Sequence, residues 1–305
     1  MTEAARTFTC FGGACTVVVD GTGPAGTPEE AVRAATDSLL EWHETFSRFK
    51  PASELAGLNR DPRERVRVSA RMARFAQAAV DAASATGGLV DATLLDEIED
   101  AGYKGDDLRA EVPLFVALIR APARQPAGPR PVARWREIEV DLSESVLTRP
   151  PGVKLDGGGI VKGLAADMVA EMLAGHNGFV VDCEGDMRVG GTGGVGRVLS
   201  VTSPFDREVL DELAVSEGAL ATSDISKRSW FGPGMRPGHH LLDPATGQPA
   251  YTGVVQVTAR APTALEGEAL AKAAVLSGPH GAQGWLRHGG VIVFDDGSHT
   301  VIPPP

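Results

Sequence analysis

A glycine-rich segment that leads into an apolar helix pattern is the first feature of this sequence that could do chemistry. It covers residues 155–163, and its members of interest are Asp156, Gly157, Gly158, Gly159 and Lys162. Glycines allow a ligand to approach the backbone closely, and free N–H groups at the start of a helix bind anions. Lys162 adds a positive charge beside such an anion. The segment therefore indicates a phosphate site, with a plain turn capped by Asp156 as the alternative.

Two segments with acidic or hydroxyl side chains follow in the second half of the chain. Asp186 comes after a predicted strand, and the hydroxyl pair of Thr222 and Ser223 precedes Asp224. The carboxylate of Asp186 can orient a loop or contact a ribose, and an ordinary β-turn is the alternative. Spacing alone leaves both interpretations open.

A histidine beside an Asp-Pro turn is the fourth feature. Residues 239–247 have the sequence HHLLDPATG, in which Asp243 starts a turn that Gly247 closes. His240 can serve as a base because the pKa of imidazole lies near neutral pH. A histidine next to a turn is more often structural, so the sequence alone leaves both roles open.

Helices and short strands must position these residues. Helices are predicted over 27–46, 69–87, 164–173 and 263–277, and strands at 16–19, 179–182, 198–202, 254–259 and 291–294. The first helix has a capping box of Thr27 and Glu30. Four prolines within 122–131 predict a loop. Because no regular strand–helix–strand rhythm connects the elements, the pattern favours an α+β fold.

Composition excludes several classes of partner. The chain has 305 residues and a formal net charge of −11. A diffuse acidic surface repels phosphate backbones and anionic lipids, so we expect neither nucleic acid nor a membrane as partner. Its three cysteines have no disulfide or zinc-motif spacing, which favours a reducing compartment. Residues 1–15 have no leader-like pattern, so we expect a cytoplasmic protein.

In order and over nearly the whole chain, these segments resemble those of the ApbE family. The matches are S-E-L…N at Ser53, Glu54, Leu55 and Asn59, D-L-G-G-I-A-K-G at 155–163, G-G-D at 184–186, T-S-G at Thr222-Ser223, H-x-x-D-P-x-T-G-x-P at 240–249 and a late A-D-A-L-A-T-A helix at 263–273. The resemblance implies an ApbE-like fold of mixed sheets packed with helices. It is either a single domain over 1–305 or two α+β lobes joined near 122–152.

The resemblance also implies an activity. Members of this family hold FAD by its diphosphate, with Mg²⁺ on that diphosphate, and transfer FMN to a threonine hydroxyl of an acceptor protein while AMP leaves. Carried over by position, the catalytic residues are His240, Asp243 and Lys272, and the cofactor-binding residues are Ser53, Glu54, Asp156, Gly157, Gly158, Gly159, Lys162, Asp186, Thr222, Ser223, His240 and Thr246. The metal ligands carried over are Glu268 and the backbone carbonyl of Val161.

Several positions depart from the family pattern. Glu184 and Asp224 stand where the family has glycines, and Glu268 and Lys272 stand where it has the Asp and Thr that ligate the metal. A charged lysine does not ligate Mg²⁺. Two functions therefore stay open: an FMN transferase with a changed metal site and a cytoplasmic acceptor, or an FAD-binding carrier or sensor that does not transfer. A relative that binds no flavin is a third.

Lys272 suggests how the site could work without a metal. Leu265, Glu268, Lys272 and Leu276 fall on one face of the predicted helix, which we expect to be buried. Glu268 precedes Lys272 by four residues, the favourable order for an ion pair. We therefore predict that the ammonium group takes the place of Mg²⁺ beside the FAD diphosphate. A plain salt bridge on the helix surface is the alternative.

Overall fold

One eight-stranded antiparallel sheet forms the centre of the computed structural model, which describes residues 3–105 and 111–305. The strands are β1 Glu3–Cys10, β2 Gly13–Asp20, β3 Arg65–Arg67, β4 Glu139–Asp141, β5 Val146–Thr148, β6 Gly178–Cys183, β7 Asp186–Gly190, β8 Arg197–Thr202, β9 Val209–Val215, β10 Gly218–Asp224, β11 Ser229–Phe231, β12 Pro237–His239, β13 Leu242–Asp243, β14 Gln248–Pro249, β15 Val254–Ala261, β16 Gly290–Phe294 and β17 His299–Ile302. The central sheet has the order β1-β2-β6-β7-β10-β15-β16-β17, and its neighbours pair antiparallel.

Seven helices accompany the strands in the described part of the chain. They are α1 Pro28–Phe46, α2 Glu54–Arg60, α3 Ala70–Ala85, α4 Leu95–Asp100, α5 Leu114–Arg120, α6 Val161–Leu173 and α7 Ala264–Ala282, with short 3₁₀ turns at Arg134–Glu137, Pro233–Met235 and Gln283–Trp285. Helices and antiparallel sheets in one chain confirm the predicted α+β class. None of the described helices is long and apolar enough to cross a membrane.

The predicted helices begin where their sequence signals indicate. The Thr27 hydroxyl accepts from the Glu30 N–H and the Glu30 carboxylate accepts from the Thr27 N–H, so the capping box of α1 is complete. Ser69 caps α3 in the same way, with its hydroxyl accepting from the Met72 N–H. In both helices the apolar positions at helical spacing are buried. Local signals therefore determine these two elements.

Two helices that pack closely against each other carry much of the chemistry. α6 begins at Val161, within the glycine-rich segment, and packs against α7 near its start. A β-carbon at Gly163 would lie only 2.6 Å from the Ala264 carbonyl oxygen, so only glycine permits this approach. The regular part of α7 ends at Ser277, as predicted, because Gly278 has a φ of 70° and Pro279 follows it.

Apolar side chains pack on both faces of the central sheet. Along β6, Val181 joins a core with α1, α3 and α6, whereas Val180 faces a second core that includes Val189 and Leu220. The β8–β9 hairpin covers this second face with Val201 and Leu213. Side chains of a strand alternate between its two faces, so one strand serves both cores. Whether the chain forms a single domain over 1–305 or two lobes joined near 122–152 stays a prediction.

The sequence analysis missed several strands. β1, β9 and β10 carry polar or small residues at many positions, so they lack a clear apolar alternation. The segment from Gly232 to Arg236 connects the two strands of the β11–β12 hairpin. Pairing partners far away in the sequence determine these strands, and a single segment does not reveal them.

Candidate functional site

A cavity of about 430 Å³ opens between the glycine-rich segment and the β1–β2 turn. It falls in the range of roughly 300–1,000 Å³ that is typical of pockets for small molecules. Lining residues are Phe11, Gly12, His43, Phe46, Ser47, Arg48, Phe49, Leu89, Val90, Asp91, Ala92, Leu94, Ile98, Tyr103, Glu111, Asp156, Gly157, Gly158, Gly159, Ile160, Val161, Lys162, Arg228, His240, Leu241, Leu242, Lys272 and Leu276. Of the predicted site residues, the glycine-rich segment, His240 and Lys272 thus share one cavity.

A second, much smaller cavity of about 30 Å³ adjoins the first, and we call it the annex. It shares Gly158, Lys162, Arg228, His240 and Lys272 with the large cavity, and adds Glu184, Thr222, Ser223, Asp224 and Lys227. The predicted hydroxyl pair therefore lies beside the glycine-rich segment. Thr222 Oγ1 is already 2.8 Å from Thr258 Oγ1 on the neighbouring strand.

Backbone contacts hold the glycine-rich segment in place. Asn59 exchanges two hydrogen bonds of 2.8 Å with the backbone of Leu155, and the Asp156 N–H donates to the Ala92 carbonyl. The Asp156 carboxylate accepts from the Gly158 N–H at 3.0 Å. Within the described chain, the N-cap residue Ile160 supplies no side-chain cap to α6, and the Glu268 carboxylate accepts from the Gly163 N–H in the first turn. A helix N-terminus that faces a cavity favours negatively charged groups.

Lys162 stands at the junction of the two cavities. Its Nζ lies 2.9 Å from Asp186 Oδ2 and 3.9 Å from Glu184 Oε2. Burial opposes the charged form, but the carboxylates of Asp186, Glu268 and Glu184 together raise the pKa of Lys162 above its ordinary value. The lysine is therefore a permanent cation. The fully buried Asp186 holds this cation in place and does not line either cavity.

Glu268 and Lys272 form the predicted ion pair in a buried position. Lys272 Nζ donates to Glu268 Oε1 at 2.9 Å, and Glu268 Oε2 accepts from the Gly163 N–H at 2.9 Å. The Glu268 side chain is 0% exposed and that of Lys272 is 10% exposed. Burial raises the pKa of Glu268, which Lys272 partly opposes. The pair is thus not a salt bridge on the helix surface.

The donor set at this position does not fit Mg²⁺. Both carboxylate oxygens of Glu268 are engaged by N–H donors, and one of these donors is the ammonium group itself. Among the described residues, no group of three or more His, Cys, Asp or Glu side chains could hold a metal ion. Magnesium needs several oxygen ligands, which a lysine cannot supply. The backbone carbonyl of Val161 therefore has no metal-binding partner set here.

His240 lines both cavities and is held in one tautomer. Its Nδ1 lies 3.3 Å from the Lys227 carbonyl oxygen, which only accepts hydrogen bonds. In the neutral ring the proton therefore sits on Nδ1, and Nε2 has a free electron pair. Burial and the positive charge of Arg228 hold the pKa of His240 well below its ordinary value. Such a ring can accept a proton at neutral pH.

The predicted Asp-Pro turn behind His240 is held by hydrogen bonds of the Asp243 carboxylate, although it does not line either cavity. The Asp243 carboxylate accepts from the Gly128 and Ala245 N–H groups at 2.9 and 3.0 Å. The Thr246 hydroxyl donates to its other oxygen at 3.0 Å. The turn thus connects the segment that follows His240 with the proline-rich loop at 122–131. A direct role in catalysis or flavin binding for Asp243 and Thr246 stays a prediction.

Ser53 and Glu54 also lie outside the cavity lining. The Ser53 hydroxyl caps α2 by accepting from the Ala56 N–H at 3.0 Å. The Glu54 carboxylate accepts from both the N–H and the hydroxyl of Ser69, each at 2.6 Å, and so connects α2 to the start of α3. These contacts show that Ser53 and Glu54 fix the positions of α2 and α3. Direct contact with a cofactor stays a prediction for both.

Two arginines in the large cavity escaped the sequence analysis. Arg48 lies over the rings of Phe49 and Tyr103, at 4.4 and 4.6 Å, and 3.2 Å from Asp156 Oδ1. Arg228 pairs with Glu184 and donates to the Phe11 carbonyl at 2.8 Å. Apart from the contact of Arg48 with its neighbour Phe49, these contacts join residues far apart in sequence. No local pattern marked either arginine.

Comparisons with known proteins agree on one family. The family model described as ApbE family matches residues 11–294. The FAD:protein FMN transferase of Treponema pallidum (strain Nichols) is 27% identical over 295 residues, which cover 90% of this chain and 79% of that protein. The protein of the same name from Klebsiella pneumoniae (strain 342) is 30% identical over 149 residues, which cover 47% of this chain and only 43% of its own length.

Solved structures with the same fold cover both chains almost completely. The ApbE protein of Thermotoga maritima has a TM-score of 0.78 at 25% identity, over 99% of this chain and 97% of its own. The flavinyl transferase ApbE of Pseudomonas stutzeri has a TM-score of 0.76 at 19% identity, over 99% and 95%. At 19% identity, the similarity to the Pseudomonas stutzeri protein supports only the assignment of the fold.

Proposed function

The chain belongs to the ApbE family, and from this membership we propose that it transfers FMN from FAD to a threonine hydroxyl of an acceptor protein. The related proteins named FAD:protein FMN transferase support this activity. FAD is the substrate, and AMP and the flavinylated acceptor are the products. The observation that carries the proposal is that an unprotonated histidine, a largely buried lysine and the glycine-rich segment surround one cavity.

The proposed reaction is a phosphoryl transfer in one step. The threonine Oγ attacks the phosphorus of the FMN part, the bond from this phosphorus to the AMP oxygen breaks, and AMP leaves. The hydroxyl proton passes to Nε2 of His240, which is unprotonated in the neutral ring. Lys162 and the glycine-rich segment stabilise the negative charge on the phosphate oxygens. Positioning and electrostatics supply most of the acceleration in reactions of this type.

Lys272 takes the place of the metal in this proposal. Its ammonium group borders both cavities beside Gly159, where a β-carbon would lie 3.5 Å from Lys272 Cε. Glu268 fixes the ammonium group from behind. One positive charge replaces two, so transfer should be slower than in a metal-dependent relative. FAD binding should not depend on divalent cations.

The proposed acceptor is a cytoplasmic protein. All three cysteines are free and buried, and unpaired thiols suit a reducing compartment. Neither a membrane nor nucleic acid is part of the proposal, because the formal net charge of −11 opposes both. Cell fractionation tests this location, and recovery in an extracytoplasmic fraction would contradict it.

Covalent flavin on protein is the readout that tests the activity. Purified protein is incubated with FAD and a desalted extract of the source organism, and free AMP and flavin fluorescence on denatured protein are measured. We expect both to appear together. His240→Gln should lower both rates at least about a hundredfold, the usual contribution of a general base, while His299→Gln, an exposed histidine, should leave them unchanged. Equal rates in His240→Gln and the parent would exclude His240 as the base.

A second function rests on Lys272. Because a lysine stands where the family resemblance implies a metal ligand, the chain could bind FAD without transferring FMN. It would then be a flavin carrier or sensor. Tight FAD binding without AMP release and without covalent flavin on any protein would select this alternative. Absence of FAD binding altogether would reject both functions.

A further inference from the structure

Three strained turn residues meet beside the glycine-rich segment. Phe11, Glu184 and Arg228 have φ angles of 54°, 59° and 49°, a left-handed conformation that residues other than glycine rarely adopt. The Arg228 guanidinium donates to the Phe11 carbonyl at 2.8 Å and to the Glu184 carboxylate. Strained residues persist where the surroundings over-determine them, often at functional sites. One ion pair therefore joins three turns.

The strand opposite Glu184 has room for its carboxylate. A β-carbon at Gly13 would lie 2.7 Å from the Glu184 side chain. The Glu184 side chain therefore packs on the bare backbone of Gly13. The side chains of Glu184 and Arg228 are only 15% and 19% exposed. This is a built position for a carboxylate and not a chance surface contact.

The Glu184 carboxylate differs from two other carboxylates that pair with cations of this site. Asp186 and Glu268 pair with Lys162 and Lys272 from the buried side, and neither lines a cavity. Glu184 lines the annex, while its partner Arg228 lines both the annex and the large cavity. An anion that enters the large cavity near Lys162 therefore meets Arg228 with its positive charge already neutralised.

We propose that Glu184 weakens the binding of anionic ligands at this site, because it competes with the anionic group of the ligand for Arg228. Arg228 is in turn a ligand-binding cation that the diphosphate of FAD must draw away from Glu184. Arginine matches phosphate oxygens with two parallel N–H donors, so a diphosphate can displace a single carboxylate. A flavin without phosphate cannot. This inference rests on the proposed function for the identity of the ligand, and on the Glu184–Arg228 geometry for everything else.

Affinities of variants test the proposal. FAD, riboflavin and inorganic diphosphate are titrated into the parent protein, Glu184→Gln and Glu144→Gln. Glu144 is a surface carboxylate paired with Arg67. Its substitution changes the net charge by the same amount, but away from the site. We expect Glu184→Gln to bind FAD and inorganic diphosphate about tenfold more tightly, the size of a partly exposed charge contact. Riboflavin affinity should not change, and Glu144→Gln should match the parent throughout.

The other outcomes decide the matter as well. Equal or weaker binding of inorganic diphosphate by Glu184→Gln overturns the proposal. If the parent binds no FAD but Glu184→Gln gains affinity for inorganic diphosphate, the proposed function fails and the competition stands. If Glu184→Gln does not fold, Glu184→Gly is titrated instead, because glycine adopts the φ of 59° without strain. If neither variant folds, Glu184 is purely structural and the proposal is wrong.

Discussion

At the scale of single residues, the Glu268–Lys272 pair combines two roles that variants can separate. Lys272→Met should weaken FAD binding at least about tenfold, because a charge-assisted contact to phosphate is lost. It should also lower the free energy of unfolding by about 3 kcal/mol, since the buried carboxylate of Glu268 loses its partner. The double variant Glu268→Gln/Lys272→Met should recover stability but not FAD affinity. Calorimetric titration and thermal unfolding measure the two effects.

A control lysine and a chelator complete this test. Lys50→Met removes a more exposed lysine, which is paired with Glu44, and should change neither quantity by much. EDTA should leave FAD binding by the parent unchanged. Loss of binding in EDTA, or recovery of FAD affinity in the double variant, would contradict the role of Lys272 as the substitute for a metal.

His239, which precedes the proposed base His240, should make the stability of the protein depend on pH. Burial lowers the pKa of His239 from 6.5 to about 3. The folded state therefore stays unprotonated where the unfolded chain takes up a proton. Stability is complete above pH 6.5 and falls as the pH decreases toward 3, by about 1.4 kcal/mol per pH unit from this group.

His239→Asn isolates that contribution. The asparagine oxygen can replace Nδ1 of His239 as acceptor for the Leu241 N–H, a contact of 3.3 Å. Between pH 6 and pH 4, denaturant unfolding should show a shallower loss of stability in the variant than in the parent. Parallel pH profiles would mean that His239 titrates normally in the folded protein.

At the scale of elements, the contact of α6 with α7 depends on one glycine. Gly163→Ala would bring a β-carbon to 2.6 Å from the Ala264 carbonyl oxygen, so the helices must move apart. We expect a loss of about 1–3 kcal/mol in unfolding free energy. Gly57→Ala in α2 meets no atom within 4 Å and should raise stability by up to about 1 kcal/mol.

The same substitution also tests whether the helices position the site. The Gly163 N–H donates to Glu268, and α6 begins within the glycine-rich segment. Gly163→Ala should therefore weaken FAD binding, whereas Gly57→Ala should not. Unchanged stability and FAD affinity in Gly163→Ala would mean that the close approach of the helices has no consequence.

At the scale of the whole molecule, an acidic protein must bind an anion through local charge. The formal net charge is −11, yet Lys162, Arg228 and Lys272 all border the same two cavities. FAD should therefore bind more tightly than riboflavin, because only FAD has the diphosphate. The difference should decrease as salt screens the charges. Equal affinities at low salt would show that no phosphate subsite exists.

Features that arise within short stretches can be predicted from the sequence alone. A capping box located the start of α1, helical periodicity located α1, α3, α6 and α7, and a spacing of four residues predicted the Glu268–Lys272 pair. The glycine-rich segment and His240 carried chemistry that their residue types alone indicate. These signals are local because hydrogen bonds in a helix and its caps connect residues three or four positions apart.

Which of these segments lie close together depends on the fold of the whole chain. The order β2-β6-β7-β10 brings Glu184 and Thr222 beside α6, and Arg228 reaches Phe11 across 217 positions of sequence. The structure also shows that four predicted site residues do not line either cavity: Ser53, Glu54, Asp243 and Thr246. Strand pairing depends on partners that are distant in the chain, so the pattern of one segment does not specify its neighbours. The charge balance around the cavity therefore became visible only in the folded protein.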